Sequence, residues 1–83
     1  MSTRRLPAAA LFMSSSLIHA QLNGESRELP AGTTVTALLQ SLGLPAERVA
    51  VECNRQILKQ PHWDSTEIQD GWTLEIVTFV GGG

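Results

Sequence analysis

The sequence predicts an α+β domain in which one main helix packs on one face of a mixed β-sheet. Three observations predict this: an early pair of short segments joined by Asn-Gly, a helical apolar stripe in the middle, and an apolar period-two segment near the end. With 83 residues, 42% of them hydrophobic, the chain has room for one domain and little room for an internal active-site cavity. We therefore expect a protein that is not itself an enzyme.

The first predicted element is a β-hairpin. Ile18, Ala20 and Leu22 alternate with polar residues, which is the period of a half-buried strand. Asn23-Gly24 follows, and this dipeptide favours the positive φ angles of a tight hairpin turn. Residues 25–29 should therefore pair antiparallel with the first strand.

The second predicted element is a short amphipathic helix. Thr33 or Thr34 can cap its start through a side-chain oxygen, and Gly43 stands where a helix commonly ends. One apolar stripe at helical spacing should pack on the sheet: Val35, Leu38, Leu39 and Leu42.

The second half of the chain predicts three further elements. Residues 48–54 alternate as a strand, with one side apolar: Val49, Val51 and Cys53. Ile57-Leu58 is a candidate for another short strand. Residues 61–72 read as irregular or as a single helical turn, which Trp63 and Ile68 should hold against the core.

Residues 73–80 form the last predicted strand. Leu74, Ile76 and Val80 fall on the face that should meet the helix. Val77 and Phe79 fall on the other face, where a monomer has little reason to place large apolar groups. We predict a partner interface at the end of this strand, formed by Val77, Phe79 and Val80; an ordinary, partly covered sheet face is the alternative for Val77 and Phe79.

Residues 1–17 are predicted to be an unstructured N-terminal extension, and residues 18–83 the folded domain. A secretory signal or a start at Met13 are alternatives for this stretch. The domain has four basic and eight acidic residues, a net charge of −4, which argues against a nucleic-acid partner and favours a basic protein. We expect no membrane partner, because the apolar run of the extension is too short to span a bilayer.

Cys53 is the only cysteine, so the chain has no internal disulfide and no cysteine cluster to hold a metal. Its alternation with Val49 and Val51 indicates a buried small side chain rather than a nucleophile. His19 and His62 are expected to be surface residues, and we predict no metal site. The composition fits a reducing compartment, and we expect the cytoplasm.

Several segments together resemble the ThiS family, the sulfur carrier proteins of thiamine biosynthesis. They are "LNGESRELPAGTTVTALLQSLGLP", "RVAVECN" and "DGWTLEIVTFVGGG", which run in order through almost all of residues 18–83. Two places depart from the family pattern: Trp72 stands third in a turn that is commonly Asp-Gly-Asp, and Lys59, Gln60 and Pro61 follow Ile57-Leu58 in an unusual order. The resemblance implies the β-grasp, or ubiquitin-like, fold.

The resemblance also implies a function for the glycine tail. The carboxylate of Gly83 would be adenylated with ATP and converted to a thiocarboxylate, while Gly81 and Gly82 give flexible reach. The implied partners are an E1-like adenylyltransferase of the ThiF type, a thiazole synthase of the ThiG type, and a sulfur donor such as a cysteine desulfurase system. No cofactor would bind to this chain, and ATP would be consumed by the adenylyltransferase.

The residues themselves agree with a reaction that occurs in another protein. The sequence has no GxxxxGK loop or other phosphate-cradling glycine run. Three extended glycines span roughly 10 Å and bring no side chains, so they can enter a narrow channel. Two alternatives stay open: the small subunit of molybdopterin synthase, which uses the same chemistry, and a ubiquitin-like protein modifier or binding module.

Overall fold

The computed structural model describes residues 17–79, which contain a five-stranded sheet and one α-helix. Two single turns of 3₁₀-helix, at Ala46–Arg48 and Gln60–His62, lie in the connections. The elements in chain order are β1 (Leu17–Leu22), β2 (Glu25–Pro30), α1 (Val35–Ser41), β3 (Val49–Cys53), β4 (Gln56–Leu58) and β5 (Thr73–Thr78).

The sheet has the order β2-β1-β5-β3-β4, so the last strand lies at its centre. β5 runs parallel to β1 on one side and antiparallel to β3 on the other. The two outer pairs, β1 with β2 and β3 with β4, are antiparallel. The prediction of a mixed sheet with one main helix is therefore confirmed.

The hairpin between β1 and β2 forms as predicted. Asn23 has φ of 51° and Gly24 has φ of 86°, so both turn residues occupy the left-handed region that this dipeptide tolerates. The register opposes Leu22 to Glu25, which leaves only the two turn residues between the strands. β2 extends to Pro30, one residue beyond the predicted end.

Helix α1 begins and ends at the predicted signals. The Thr34 hydroxyl accepts a hydrogen bond from the Ala37 N–H at 3.0 Å, so Thr34 is the cap. Thr33 instead donates its hydroxyl to the Pro30 carbonyl at 2.6 Å. Gly43, with φ of 71°, follows the end of the helix and turns the chain away.

The hydrophobic core lies between α1 and one face of the sheet. Trp63 is only 4% exposed and donates its indole N–H to the Leu58 carbonyl at 2.8 Å. Ile68 is buried, and its N–H bonds to the Thr33 carbonyl, so both residues hold the irregular segment as predicted. The other buried members come from the helix and four strands: Ala20, Leu22, Leu29, Val35, Leu38, Leu39, Val49, Val51, Leu74 and Ile76.

The two ends of the domain differ slightly from the predicted boundaries. β1 begins at Leu17, one residue earlier than predicted, because Leu17 lies opposite Pro30 in the ladder. Residues 1–16, the rest of the predicted extension, lie outside the described residues, as do Val80, Gly81, Gly82 and Gly83. Within residues 17–79, no helix is long and apolar enough to cross a membrane.

Candidate functional site

Strand β5 carries the chain through the middle of the sheet toward its C-terminus. Its side chains alternate as predicted, with Leu74 and Ile76 buried and Thr73, Glu75 and Val77 exposed. The strand is followed by Phe79, whose N–H donates to the Arg48 carbonyl at 2.7 Å. The sheet therefore holds the backbone up to Phe79, four residues before the C-terminus.

The sheet face opposite the helix carries exposed apolar side chains. Val77 is 56% exposed and Phe79 is 54% exposed, in agreement with their predicted orientation. Ile57, on β4, is 72% exposed, and sequence reasoning did not assign it to a surface. In the β3–β4 pair, Ile57 lies opposite the exposed Glu52, and Leu58 lies opposite the buried Val51. Leu58 therefore points toward the core and Ile57 points away from it. We call Ile57, Val77 and Phe79 the outer apolar patch.

Two carboxylates face each other on the same side of the sheet. Glu52 on β3 lies directly opposite Glu75 on β5, and both side chains are exposed. Like charges at directly opposed positions destabilise a sheet, although solvent reduces the effect. Within the part of the chain that the structure describes, neither carboxylate forms a salt bridge. The outer apolar patch thus has a negative centre, which favours a partner surface with basic side chains.

Asn23 links the hairpin turn to β5 by its side chain as well as its backbone. Its Oδ1 accepts from the Ile76 N–H at 2.8 Å, and its Nδ2 donates to the Ile76 carbonyl at 3.2 Å. Its own N–H donates to the Leu74 carbonyl at 2.9 Å. Sequence reasoning assigned Asn23 to the turn alone, because nothing local shows that β5 lies next to it.

We expect Asn23→Ala to lower the free energy of unfolding by about 1–3 kcal/mol. The substitution leaves the N–H and carbonyl of Ile76 without these partners and places alanine at a positive φ. Asn23→Gly tolerates the positive φ but also lacks the two side-chain hydrogen bonds. The difference in unfolding free energy between the two variants therefore measures the cost of placing alanine at a positive φ. Urea unfolding measures both; equal stability of Asn23→Gly and the wild type would contradict the role of the side chain.

Cys53, at the end of β3, packs against the core on the predicted side, but it is half-buried rather than buried. Burial raises the pKa of the Cys53 thiol, because desolvation disfavours the thiolate. We expect the folded protein to react with iodoacetamide at pH 8 more slowly than the urea-unfolded chain, since the thiolate is the nucleophile. Equal rates, followed by mass spectrometry, would show that the fold does not protect this thiol.

His19 is exposed, as predicted, but it lies between two carboxylates that are distant in sequence. Its Nε2 is 3.3 Å from Glu28 Oε2, and its Nδ1 is 3.9 Å from Asp70 Oδ1. Asp70 also accepts the His19 backbone N–H at 2.8 Å, which fixes the Asp70-Gly71 turn to β1. Residues 17–79 contain no group of three side chains arranged to hold a metal ion.

A surface groove of about 270 Å³ lies beside α1. Leu39, Leu44 and Trp63 form much of its wall, and Asp64 is its one ionisable side chain. The groove therefore offers no acid and base pair for catalysis. Trp72 is half-buried, whereas Trp63 is buried.

A five-stranded mixed sheet with one helix and a parallel central strand that ends shortly before a glycine run defines the ubiquitin-like class of β-grasp domains. Within that class, residues 20–83 match the ThiS family, and the chain belongs to it. The ThiS protein of Geobacter metallireducens, a thiamine biosynthesis protein of known crystal structure, superposes with a TM-score of 0.66 at 33% identity. The match covers 80% of this chain and all of that one. This match also confirms the predicted fold.

Two kinds of sequence relative agree with this assignment. The sulfur carrier protein ThiS of Bacillus subtilis (strain 168) is 39% identical over 64 residues, covering 76% of this chain and 97% of the relative. A thiazole synthase of Paramagnetospirillum magneticum is 45% identical over 62 residues, covering 75% of this chain. The chain spans only 19% of that synthase. The family match, the solved structure and the sequence relatives thus agree in assigning this chain to the ThiS family.

Proposed function

We propose that the terminal carboxylate of Gly83 is the sulfur-carrying group. The observation that supports this most is the position of β5, which is fixed at the centre of the sheet and is separated from the three glycines by only Phe79 and Val80. A rigid strand followed by residues without side chains presents a carboxylate to a partner's active site while the domain stays outside. Gly81 and Gly82 supply the reach, and Gly83 supplies the reacting group.

The proposed chemistry has two steps, both in a partner enzyme. An α-carboxyl group has a pKa of about 3.3 to 3.7, so at neutral pH it is ionised and can attack the α-phosphorus of ATP without a base. Pyrophosphate leaves, and the product is an acyl-adenylate at Gly83. The terminal sulfur of a persulfide derived from cysteine then attacks the carbonyl carbon and AMP leaves, which gives an acyl disulfide. A thiol cleaves the S–S bond of this acyl disulfide, so the thiocarboxylate is released and the donor sulfur ends in a disulfide with that thiol.

An E1-like adenylyltransferase of the ThiF type is the proposed partner for activation, because this chain lacks a phosphate-binding loop. A thiazole synthase of the ThiG type is the proposed acceptor. Support for the second comes from the relatives named thiazole synthase, in which a segment like this chain is part of one longer protein. Linking a carrier to its acceptor raises their effective concentration, which is useful only if the two interact.

The outer apolar patch and the Glu52–Glu75 pair are the proposed docking surface for the adenylyltransferase. Val77 and Phe79 precede the glycine tail by only a few residues in the sequence, so a protein that receives the tail should come close to them. Val80, which lies outside the described residues, continues this apolar stretch in the sequence. The directly opposed carboxylates indicate that the partner places a basic group against them.

We expect Glu75→Gln to change stability and binding in opposite directions. Removing one of two opposed charges should raise the free energy of unfolding by a few tenths of a kcal/mol, about the size of an exposed pair. The same change should weaken binding to the adenylyltransferase and reduce its salt dependence. Glu25→Gln, on exposed β2, is the matched control for loss of one charge. Unchanged affinity and salt dependence in Glu75→Gln would contradict a basic partner surface.

Intact mass spectrometry tests the proposed function. The protein is incubated with ATP, the adenylyltransferase and a cysteine desulfurase system with cysteine. The wild type should gain the mass of one oxygen-to-sulfur exchange, and the gain should map to the C-terminal peptide. A variant with one residue appended after Gly83 should gain nothing, because its carboxylate is displaced from the reacting position. Detection of Gly83 in an isopeptide bond to a lysine of another protein would instead indicate a protein modifier and would contradict the carrier reaction.

A further inference from the structure

The backbone of β5 alternates its hydrogen bonds between two neighbours. On the β3 side, the Asn54 N–H donates to the Thr73 carbonyl and the Phe79 N–H donates to the Arg48 carbonyl, both at 2.7 Å. On the β1 side, the Trp72 carbonyl accepts from the Gln21 N–H at 2.9 Å. Odd-numbered residues of β5 therefore bond toward β3, and even-numbered residues bond toward β1.

On the β1 side, β5 extends beyond the end of its neighbouring strand. β1 stops at Leu22, opposite Leu74, and the chain then turns back into β2. At Ile76 the Asn23 carboxamide takes the place of a neighbouring strand and bonds both backbone groups. The ladder on this side thus ends at Ile76, two residues before the end of β5.

Thr78 is the next residue whose backbone groups point to the β1 side. It lies opposite Val49, but this is a non-hydrogen-bonded position, since the neighbouring bond joins Phe79 to Arg48. Thr78 is exposed, and within residues 17–79 its N–H and carbonyl have no backbone partner on the β1 side. A short open edge therefore lies directly before the tail, next to Val77 and Phe79.

We propose that an extended segment of the adenylyltransferase adds to β5 along this open edge and pairs with Thr78. Strand edges with free donors and acceptors are templates for pairing, and the main-chain bonds would orient the tail independently of its sequence. Val77 and Phe79 would lie beside the added strand on the outer face, so the edge and the outer apolar patch form one continuous surface. The inference rests on the proposed function, since it concerns the partner that receives the tail.

The variant Thr78→Pro tests this pairing. Proline removes only an N–H that faces away from β3, a position where strands tolerate it, and Val77 before it is already extended. We expect the variant to stay folded and to bind the adenylyltransferase at least about tenfold more weakly, the effect of a lost hydrogen bond and a blocked edge. Thr78→Ala, which keeps the N–H, is the matched control and should bind like the wild type.

Amide hydrogen exchange in the wild type gives a second measurement that needs no substitution. The Thr78 amide should exchange rapidly in the free protein and become protected in the complex, whereas the Ala50 and Val77 amides, paired between β3 and β5, should be protected in both. Rapid exchange of Thr78 in the complex, or equal binding by Thr78→Pro and Thr78→Ala, would overturn the proposal. Failure of the wild type to gain sulfur in the intact-mass assay would instead overturn the proposed function.

Discussion

Phe79→Asp is expected to reduce binding to the adenylyltransferase by about 100-fold while the domain stays folded. Phe79 is half-exposed and its side chain makes no part of the buried core, so its loss should change the free energy of unfolding little. A large aromatic group near the centre of an interface is, in contrast, a common source of binding energy. The aspartate would also bring a charge into a contact that the exposed apolar side chain is expected to make, which costs desolvation energy.

The matched control for Phe79→Asp is Gln21→Asp. Gln21 is exposed on β1, opposite Thr73, and lies outside the outer apolar patch. Isothermal titration calorimetry measures the affinity of both variants, and thermal unfolding measures their stability. A large loss of stability in Phe79→Asp would show that Phe79 belongs to the core, and equal affinities of the two variants would remove it from the interface.

Trp63→Ala is expected to cost about 3–5 kcal/mol of unfolding free energy, a large part of the total for a domain of this size. Trp63 is almost completely buried and belongs to the hydrophobic core, so its removal leaves a cavity. The Leu58 carbonyl also loses the indole N–H that it accepts at 2.8 Å. The irregular segment after β4 should be the region most affected, because Trp63 and Ile68 hold it.

Trp63→Phe separates the two contributions to this loss. It keeps most of the buried apolar volume but removes the indole N–H, so we expect a cost of about 1–2 kcal/mol. Urea unfolding followed by circular dichroism measures both variants. A cost below about 1 kcal/mol for Trp63→Ala would mean that the segment is held mainly by its backbone hydrogen bonds.

Local patterns predicted most of the elements, because their causes lie within a few residues. Asn23-Gly24 formed the hairpin turn, Thr34 capped the helix, and Gly43 followed its end. The alternation in β5 also assigned the exposed and buried faces of the described residues correctly. In each case the cause, a side-chain cap or a residue that tolerates positive φ, lies within the segment whose structure it determines.

Features that depend on strand register could not be predicted in the same way. The opposition of Glu52 to Glu75 and the outward direction of Ile57 require the pairing of β3 with its two neighbours. The bonds from Asn23 to Ile76 require β5 to insert beside β1, across 53 positions of sequence. These contacts define the charge of the outer face and the open edge at Thr78, so the proposed docking surface depends on the part of the fold that local patterns do not encode.

The most direct test of the proposed sulfur delivery follows labelled sulfur from the carrier to its acceptor. Carrier loaded with ³⁴S at Gly83 is purified and incubated with the thiazole synthase and its other substrates, and in parallel with the large subunit of molybdopterin synthase. We predict that the label enters the thiazole product and that the carrier returns to its original mass. Label that enters the pterin product alone, or that stays on the carrier in the presence of an active thiazole synthase, would contradict sulfur delivery for thiazole formation.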